Sequence, residues 1–306
     1  MIGIALATRG LVKSYGHRRA LDGFTLSVQQ GAIMGLVGPN GSGKTTWMMT
    51  VAGFLIPSSG SVDILGSGPF DAVRHSGRLS ILPQDSALPL EARLDEILFR
   101  YARMQGLPPD AARRSCSEAL AAVNLSDRAH ASIRSLSHGM RTRARIAQCF
   151  LGSPELVLLD EPLNGLDPVE ADRIRRFLLS RRGGQTIVIT SHNLHDVEAL
   201  CTHVAFVEKG RVKRTTTIAD VTRSASRVVY RLSSKPGDMA AISAALPGAV
   251  FEWLEDEYAL SCSFSGEEGG AAAANRMLLP VLLAQTDVIG VSSGISLEQA
   301  YLGEPQ

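Results

Sequence analysis

The stretch Gly38-Pro39-Asn40-Gly41-Ser42-Gly43-Lys44-Thr45 decides the fold of this chain. It matches the phosphate-binding loop G-x-x-x-x-G-K-[ST], whose glycines let successive backbone N–H groups surround a phosphate. The mostly apolar segment Ile33–Val37 before it predicts a short buried strand, and the segment from Thr46 onward predicts a helix. A glycine-rich surface turn would require neither element. The pattern therefore predicts nucleotide binding, with Lys44 at the terminal phosphates and the Thr45 hydroxyl as a ligand of Mg²⁺.

Composition narrows the class of protein. The 306 residues carry a net charge of +1, so no global field attracts nucleic acid or an anionic membrane, and no nucleic-acid partner is expected. Apolar runs such as Met277–Ala284 are shorter than the ~20 residues that span a bilayer. The N-terminus lacks the pattern of an export signal. Reduced thiols in a cytosolic protein are predicted because the four cysteines lie far apart, at Cys116, Cys149, Cys201 and Cys262.

The order of apolar runs predicts an α/β fold. Strand-like segments alternate with helical patterns at Ile33–Val37, Leu79–Leu82, Leu156–Leu159, Thr186–Thr190 and Val204–Val207. Leu156–Leu159 is apolar at every position, as in a strand buried on both faces of a parallel sheet. Ligands of such a sheet bind at the carboxyl ends of its strands. An antiparallel segment is predicted from Leu6 to Val28, with its strands joined near Tyr15 and Gly16.

Two further regions are predicted around this core. No strand pattern lies between Leu90 and Leu151, and helices over 91–105, 110–123 and 137–151 predict an inserted helical subdomain at about 85–152. The short linker Ser224–Ser226 separates a domain at 1–223 from a small α+β domain at 226–306. In the second domain we expect strands at 227–232, 250–254, 258–264 and 288–291, and helices at 238–245 and 270–284.

Two adjacent acids, Asp160 and Glu161, end the most apolar strand. Taken alone, they are more typical of solvated residues at a strand exit. With a phosphate loop in the same parallel sheet, the catalytic interpretation is favoured. Asp160 is then placed to hold Mg²⁺ through water, and Glu161 to polarise a water that attacks the γ-phosphate.

Residues 5–220 resemble the ATP-binding subunits of ABC transporters, because further motifs follow the phosphate loop in that family's order. The resemblance implies that Gln84 touches Mg²⁺ and the attacking water, and that His192 is the switch histidine at the γ-phosphate. It implies that Tyr15 stacks on adenine. Asp167, in Gly165-Leu166-Asp167, resembles the loop that links the two sites of a dimer.

The family's LSGGQ signature corresponds to Leu136-Ser137-His138-Gly139-Met140. His138 and Met140 depart from the pattern. This departure concerns the rate of ATP hydrolysis that depends on the signature, and not hydrolysis itself. Ser137 and Gly139 are retained, and the resemblance implies that they contact the γ-phosphate of ATP held by a partner subunit. Ser137 also predicts the N-cap of a helix. The arginines that follow predict a solvated or domain-facing stripe rather than a nucleic-acid site: Arg141, Arg143 and Arg145.

Structural alternatives remain open for several of these residues. Gln84 alone would be an ordinary polar loop residue. Asp167, Pro168 and Glu170 also have the pattern of a helix start, with an N-cap acid, proline at N1 and glutamate at N3. The remaining histidines belong to no constellation and are predicted at the surface, among them His17 and His75.

Together the motifs predict an ATP-hydrolysing subunit that uses ATP and Mg²⁺, in which the residues from Gly38 to Thr46 hold the phosphates and the metal. Ser296–Leu302 and Phe99–Arg103 resemble segments of the exporter branch, although a capped terminal helix and an ordinary amphipathic helix explain them equally well.

The family implies a separate membrane permease, a dimer with itself or a homologous ATPase, and a location at the cytoplasmic face of the membrane. The alternative is a non-transport ABC ATPase acting on nucleic acid or ribosomes. A P-loop kinase or regulatory GTPase would not combine Gln84, the signature and His192 in this order.

Overall fold

The computed structural model describes residues 3–223, 227–264 and 270–293. The chain divides into two compact units, Met1–Thr216 and Thr217–Gln306. The sequence-based boundary at 223–226 lies beyond this division and stays a prediction. Its proposed linker, Ser224–Ser226, lies outside the described residues, as does the capped helix expected at Ser296–Leu302.

The first unit contains nine strands, six α-helices and two short 3-10 helices (Ser126–Arg128 and Ile133–Ser135) among its described residues. The strands are β1 (Ile4–Tyr15), β2 (Arg18–Gln29), β3 (Ile33–Val37), β4 (Ser59–Ile64), β5 (Leu79–Leu82), β6 (Leu156–Asp160), β7 (Thr186–Ser191), β8 (His203–Glu208) and β9 (Arg211–Thr217). The helices are α1 (Lys44–Val51), α2 (Leu94–Met104), α3 (Pro109–Ala122), α4 (His138–Cys149), α5 (Pro168–Ser180) and α6 (Leu194–Leu200).

A six-stranded sheet in the order β5-β6-β7-β3-β8-β9 forms the centre of this unit. Strands β5, β6, β7, β3 and β8 run parallel. Every residue of β3, β6 and β7 is buried, because helices and the three-stranded sheet of β1, β2 and β4 exclude water from both faces. The predicted strands are confirmed, and their carboxyl ends meet at one edge of the sheet.

The predicted antiparallel segment is also confirmed. β1 pairs with β2 and with β4 in an antiparallel three-stranded sheet. The fully buried Trp47 of α1 joins this sheet to the phosphate loop, since its ring stacks on Phe24 at 5.6 Å and its Nε1 donates to Thr8 Oγ1 at 3.2 Å. The start of α1 is therefore held by the core.

The region between β5 and β6 is helical, as predicted, and contains α2, α3 and α4. The prediction that His75 lies at the surface is wrong, because its side chain is buried. Its Nδ1 accepts from Asp71 N–H at 3.0 Å, its Nε2 lies 3.3 Å from Ile64 O, and its ring stacks on Phe70. Local backbone partners allow a polar ring to be buried here, and the sequence does not display them.

The second unit contains α7 (Ile218–Arg223), β10 (Arg227–Leu232), α8 (Met239–Ala245), β11 (Val250–Leu254), β12 (Ala259–Ser263), α9 (Gly270–Leu283) and β13 (Val288–Ser293). Its strands form an antiparallel sheet in the order β11-β12-β10-β13. Val228, Tyr230 and Leu260 pack with Ile242 of α8 and Leu278 of α9 in its own core. Its expected α+β class is confirmed. Across the described ranges, no helix has the length and apolar character needed to span a membrane.

Candidate nucleotide-binding site

The phosphate loop connects β3 to α1 and depends on glycine at two close approaches. Gly43 has a φ of +110°, and a Cβ there would lie 2.6 Å from Ala20 O. A Cβ on Gly38 would lie 2.1 Å from Val207 O. Real Cβ atoms do not approach backbone oxygens so closely, so both positions require glycine. The loop is thereby pressed against the core with its N–H groups near the start of a helix, where the dipole favours an anion.

Lys44 is the first residue of α1 and its side chain is buried. Its Nζ donates to Gly38 O at 2.7 Å and to Pro39 O at 3.2 Å. Burial lowers the pKa of the Lys44 ammonium, and the carboxylates of Glu161 and Asp160 partly offset that effect. The ammonium is thus confined at the loop and faces the two acids.

A cleft of about 520 Å³ opens at the carboxyl edge of the sheet. It brings together ten of the predicted site residues: Tyr15, Asn40, Gly41, Gly43, Lys44, Thr45, Thr46, Gln84, Glu161 and His192. Three lining residues were not predicted: Arg18, Ala20 and Asn164. The predicted residues Gly38, Pro39, Ser42 and Asp160 support the cleft from the loop and the strand end without lining it. The half-exposed ring of Tyr15, at its mouth, lies 5.4 Å from Lys13 Nζ.

The two acids at the end of β6 differ in environment. Asp160 is buried; its Oδ1 accepts from the Thr190 hydroxyl, while its Oδ2 is buried without a hydrogen-bond partner among the described residues. Glu161 has a φ of +51°, unusual for a residue with a side chain, and its N–H donates to Thr190 Oγ1 at 2.9 Å. Such strain persists where the surroundings enforce it, and it is concentrated at functional sites.

His192 follows β7 and contacts Glu161 directly. The distance from its Nδ1 to Glu161 Oε2 is 2.8 Å, with the Glu161 side chain 9% exposed and that of His192 52% exposed. An ionised carboxylate can only accept, so Nδ1 carries the proton in this contact. The pair fixes one carboxylate oxygen of the candidate base, whose side chain lines the cleft.

Oxygen atoms that line the cleft, and one buried beside it, fit a magnesium ion. Within the parts of the chain that the structure describes, no group of three His, Cys, Asp or Glu residues could hold a metal. Mg²⁺ needs no such cage, because it is usually held by one or two carboxylates, water and substrate phosphates. The unpartnered Asp160 Oδ2 suits this role, and Thr45 and Gln84 supply neutral oxygens.

Ser137, Gly139 and Asp167 do not line this cleft. Ser137 is the N-cap of α4 and accepts from Met140 N–H at 3.2 Å, so the predicted cap is confirmed. Asp167 is the N-cap of α5 and accepts from the N–H groups of Val169 and Glu170, each at 3.0 Å. Both motifs therefore stand at helix N-termini away from their own subunit's cleft.

Comparisons with known proteins show the family to which the chain belongs. The family model for the ABC transporter matches residues 21–164. Nod factor export ATP-binding protein I of Ralstonia nicotianae is 35% identical over 211 residues, which is 67% of this chain and 65% of that protein. The protein of the same name from Cupriavidus metallidurans is 35% identical over 208 residues, covering 67% of this chain and 69% of the relative. The chain belongs to the ATP-binding subunits of ABC transporters.

The solved structure of an ATP-binding subunit of an ABC transporter gives a TM-score of 0.64 at 26% identity. It covers 71% of this chain and 91% of the solved one. The family and fold predictions are therefore confirmed. The matches span about two thirds of the curated relatives' own length, and residues from Thr217 onward form a separate unit of this ABC subunit.

Thr190, which was not predicted as a site residue, organises the acid pair of this ABC subunit. Thr190 is fully buried in β7 and pairs in register with Asp160. Its hydroxyl accepts from Glu161 N–H and donates to Asp160 Oδ1. One spacing could have pointed to it, because Thr190 lies two residues before His192 at the carboxyl end of β7.

If Asp160 is a Mg²⁺ ligand, Thr190→Val is expected to lower kcat for ATP hydrolysis about 10–100-fold, the usual effect of losing a group that orients a metal ligand. Valine keeps the shape but leaves Asp160 and the Glu161 N–H without this partner. Nucleotide affinity measured without Mg²⁺ should not change. Thr186→Val is the matched control, since Thr186 Oγ1 accepts from Gly31 N–H elsewhere in the same strand. Equal kcat values for the two variants would contradict this role.

Proposed function

We propose that this ABC subunit hydrolyses Mg-ATP in the cleft and that hydrolysis powers export through a separate permease. The observation that carries the proposal is the contact of Glu161 with His192, 2.8 Å apart in the cleft that Lys44 lines. An oriented carboxylate facing a phosphate loop is what water activation at a γ-phosphate requires.

The chain's own residues have distinct roles in this proposal. Tyr15 stacks on the adenine at the mouth of the cleft, and the N–H groups of residues 38–46 bind the phosphates. Asp160, Thr45 and Gln84 hold Mg²⁺, which neutralises phosphate charge when bound. Glu161 accepts a proton from the attacking water.

His192 has two roles beside this base. Through Nδ1 it orients Glu161, and it senses the terminal phosphate. The strained backbone of Glu161 supports its role as the base, because Glu161 lines the cleft and strain of this kind is concentrated at functional sites.

We further propose that the site is completed by a second subunit, either another copy or a homologous ATPase. Ser137, Gly139 and Asp167 are absent from the lining of their own cleft, which supports a role in trans. Ser137 caps α4, so the positive end of the helix would face the partner's γ-phosphate.

Export through a permease is supported by the relatives, which are named as export ATP-binding proteins. The subunit would sit at the cytoplasmic face of the membrane, bound through the permease. The start of the helical region, from Gln84 to Arg103, would receive the permease, because Gln84 links that surface to the cleft.

The test is the rate of ATP hydrolysis with added membranes or nucleic acid. Membranes from cells that express the cognate permease should stimulate hydrolysis, whereas DNA and RNA should not. Stimulation by nucleic acid that falls steeply with salt would instead favour an ABC ATPase acting on nucleic acid or ribosomes. The net charge of +1 argues against that outcome.

We propose that the ATPase domain ends near residue 223, so a chain that stops at Arg223 should keep its affinity for an ATP analogue. The cleft residues all precede Val204, and the second unit has its own core. Calorimetric titration of the truncated and full-length chains measures the difference. A folded truncation that no longer binds nucleotide would refute the boundary.

A further inference from the structure

A buried ion pair joins the two helices that carry the proposed trans-acting residues. Arg143 of α4 places its Nε 2.6 Å from Oε2 of Glu170 in α5, with side chains 4% and 16% exposed. The two atoms lack the alignment of a hydrogen bond, so the attraction is that of opposite charges in a dry environment. The expected stripe of arginines is therefore domain-facing at Arg143, and the solvated alternative is wrong for this residue.

Arg143 also binds the preceding helix of the same subdomain. Its Nη1 donates to Val123 O at 2.7 Å and to Asn124 O at 3.0 Å, at the end of α3. One guanidinium thus ties the helical subdomain to α5 of the sheet core. Such an ion loses its water on burial and tolerates this only in a fixed geometry.

The first turns of α4 and α5 touch beside this pair. A Cβ on Gly139 would lie 3.0 Å from Glu170 Cγ, so glycine lets the two helices approach. A Cβ on Gly165 would lie 3.9 Å from His138 Nε2, which places His138 next to the turn that leads to Asp167. Ser137 and Asp167 cap the two helices within this contact region.

We propose that Arg143 and Glu170 are positioning residues that hold Ser137, Gly139 and Asp167 as one rigid surface for the partner's ATP. The inference rests on the proposed function, in which these three residues act in trans. With the pair intact, both motifs reach the partner's γ-phosphate together. Without it, α4 and α5 can shift apart, and displacements near 1 Å cost roughly 10²-fold at such sites.

The experiment replaces the pair by methionines in a Glu161→Gln background, which retains ATP. A single Arg143→Met change would remove one of the two arginines that contact the mostly buried Glu170 and would destabilise the chain. Arg143→Met with Glu170→Met removes both charges, and a well-packed apolar pair preserves stability. Arg173→Met is the matched control, because Arg173 contacts Glu170 Oε1 at 2.7 Å from a half-exposed position.

Dissociation constants of the Mg-ATP dimer are measured by light scattering, together with nucleotide affinity and melting temperature. We expect the double methionine variant to melt and bind nucleotide like the control but to dimerise about 10–100-fold more weakly. Equal dimerisation by the two variants would overturn the inference and leave the proposed function intact. If the double variant does not fold, the same dissociation constant is measured for Glu170→Gln, which we expect to dimerise more weakly than the control. Unchanged dimerisation of Glu170→Gln would overturn the inference.

If the Glu161→Gln variant does not form a dimer with Mg-ATP, the shared site of the proposed function is refuted. The inference is then decided in the monomer by hydrogen exchange of the amides at 138–143. Faster exchange in the double methionine variant, or in Glu170→Gln, than in Arg173→Met supports the positioning role. Equal exchange refutes it.

Discussion

Glu161→Gln is expected to lower kcat for ATP hydrolysis roughly 10²–10⁴-fold, because glutamine keeps the shape of the side chain but takes no proton from water. The affinity for ATP should remain, since the change leaves intact residues 38–46, which we propose to bind the phosphates, and the contacts of Lys44. The amide oxygen of the introduced glutamine can still accept from His192 Nδ1. The decrease in kcat therefore measures the loss of the basic carboxylate and not the loss of this contact. Single-turnover hydrolysis and calorimetric binding separate the two effects. A wild-type rate would remove Glu161 from the mechanism.

The same variant tests the shared site. Unhydrolysed ATP should hold two subunits together, so the Glu161→Gln protein should be a dimer with Mg-ATP and a monomer with ADP. Adding Ser137→Arg should abolish the dimer while sparing nucleotide binding, because it places bulk and charge at the N-terminus of α4. Light scattering gives the mass with each nucleotide. An ATP-bound monomer of the parent would contradict the shared architecture.

Gly43→Ala is expected to weaken ATP binding roughly 100-fold or more. The new Cβ would lie 2.6 Å from Ala20 O at a φ of +110°, so the loop must move from its phosphate-binding shape. The phosphates would then lose both the aligned N–H groups and the position of Lys44. Titration with a fluorescent ATP analogue measures the loss.

Gly68→Ala is the control for Gly43→Ala. Gly68 also has a positive φ, +84°, but a Cβ there meets no atom within 4 Å. Its variant carries the cost of the backbone conformation without a clash at the phosphate loop. It should bind ATP like the wild type. Equal weakening in both variants would show that general destabilisation, not loop geometry, is responsible.

The central sheet could be predicted because its strands are continuous apolar runs. β3, β6 and β7 are buried at every residue, and such strands stand out in any sequence. β4 and β9 were missed because they are rich in polar residues or glycine. β9 pairs with β8, its neighbour in the chain, whereas β4 pairs with the distant β1. An edge strand of this kind is stabilised by tertiary hydrogen bonds that no local pattern displays.

The candidate site shows the same division. Residues in the phosphate loop and at the ends of apolar strands were predicted, because their position along the chain implies their position in the sheet. Thr190 and the Arg143–Glu170 pair were missed, since their roles arise from neighbours brought together by the fold. Arg18 likewise enters the cleft through the antiparallel sheet, which the phosphate-loop motif does not include.

The most direct test of the account is affinity purification of the full chain from detergent-solubilised membranes, followed by identification of its stoichiometric partner. The account predicts an integral membrane protein with several spanning helices, which stimulates Mg-ATP hydrolysis by the wild-type chain but not by Glu161→Gln. Recovery of ribosomes or nucleic acid as the stoichiometric partner, with no such membrane protein, would contradict it.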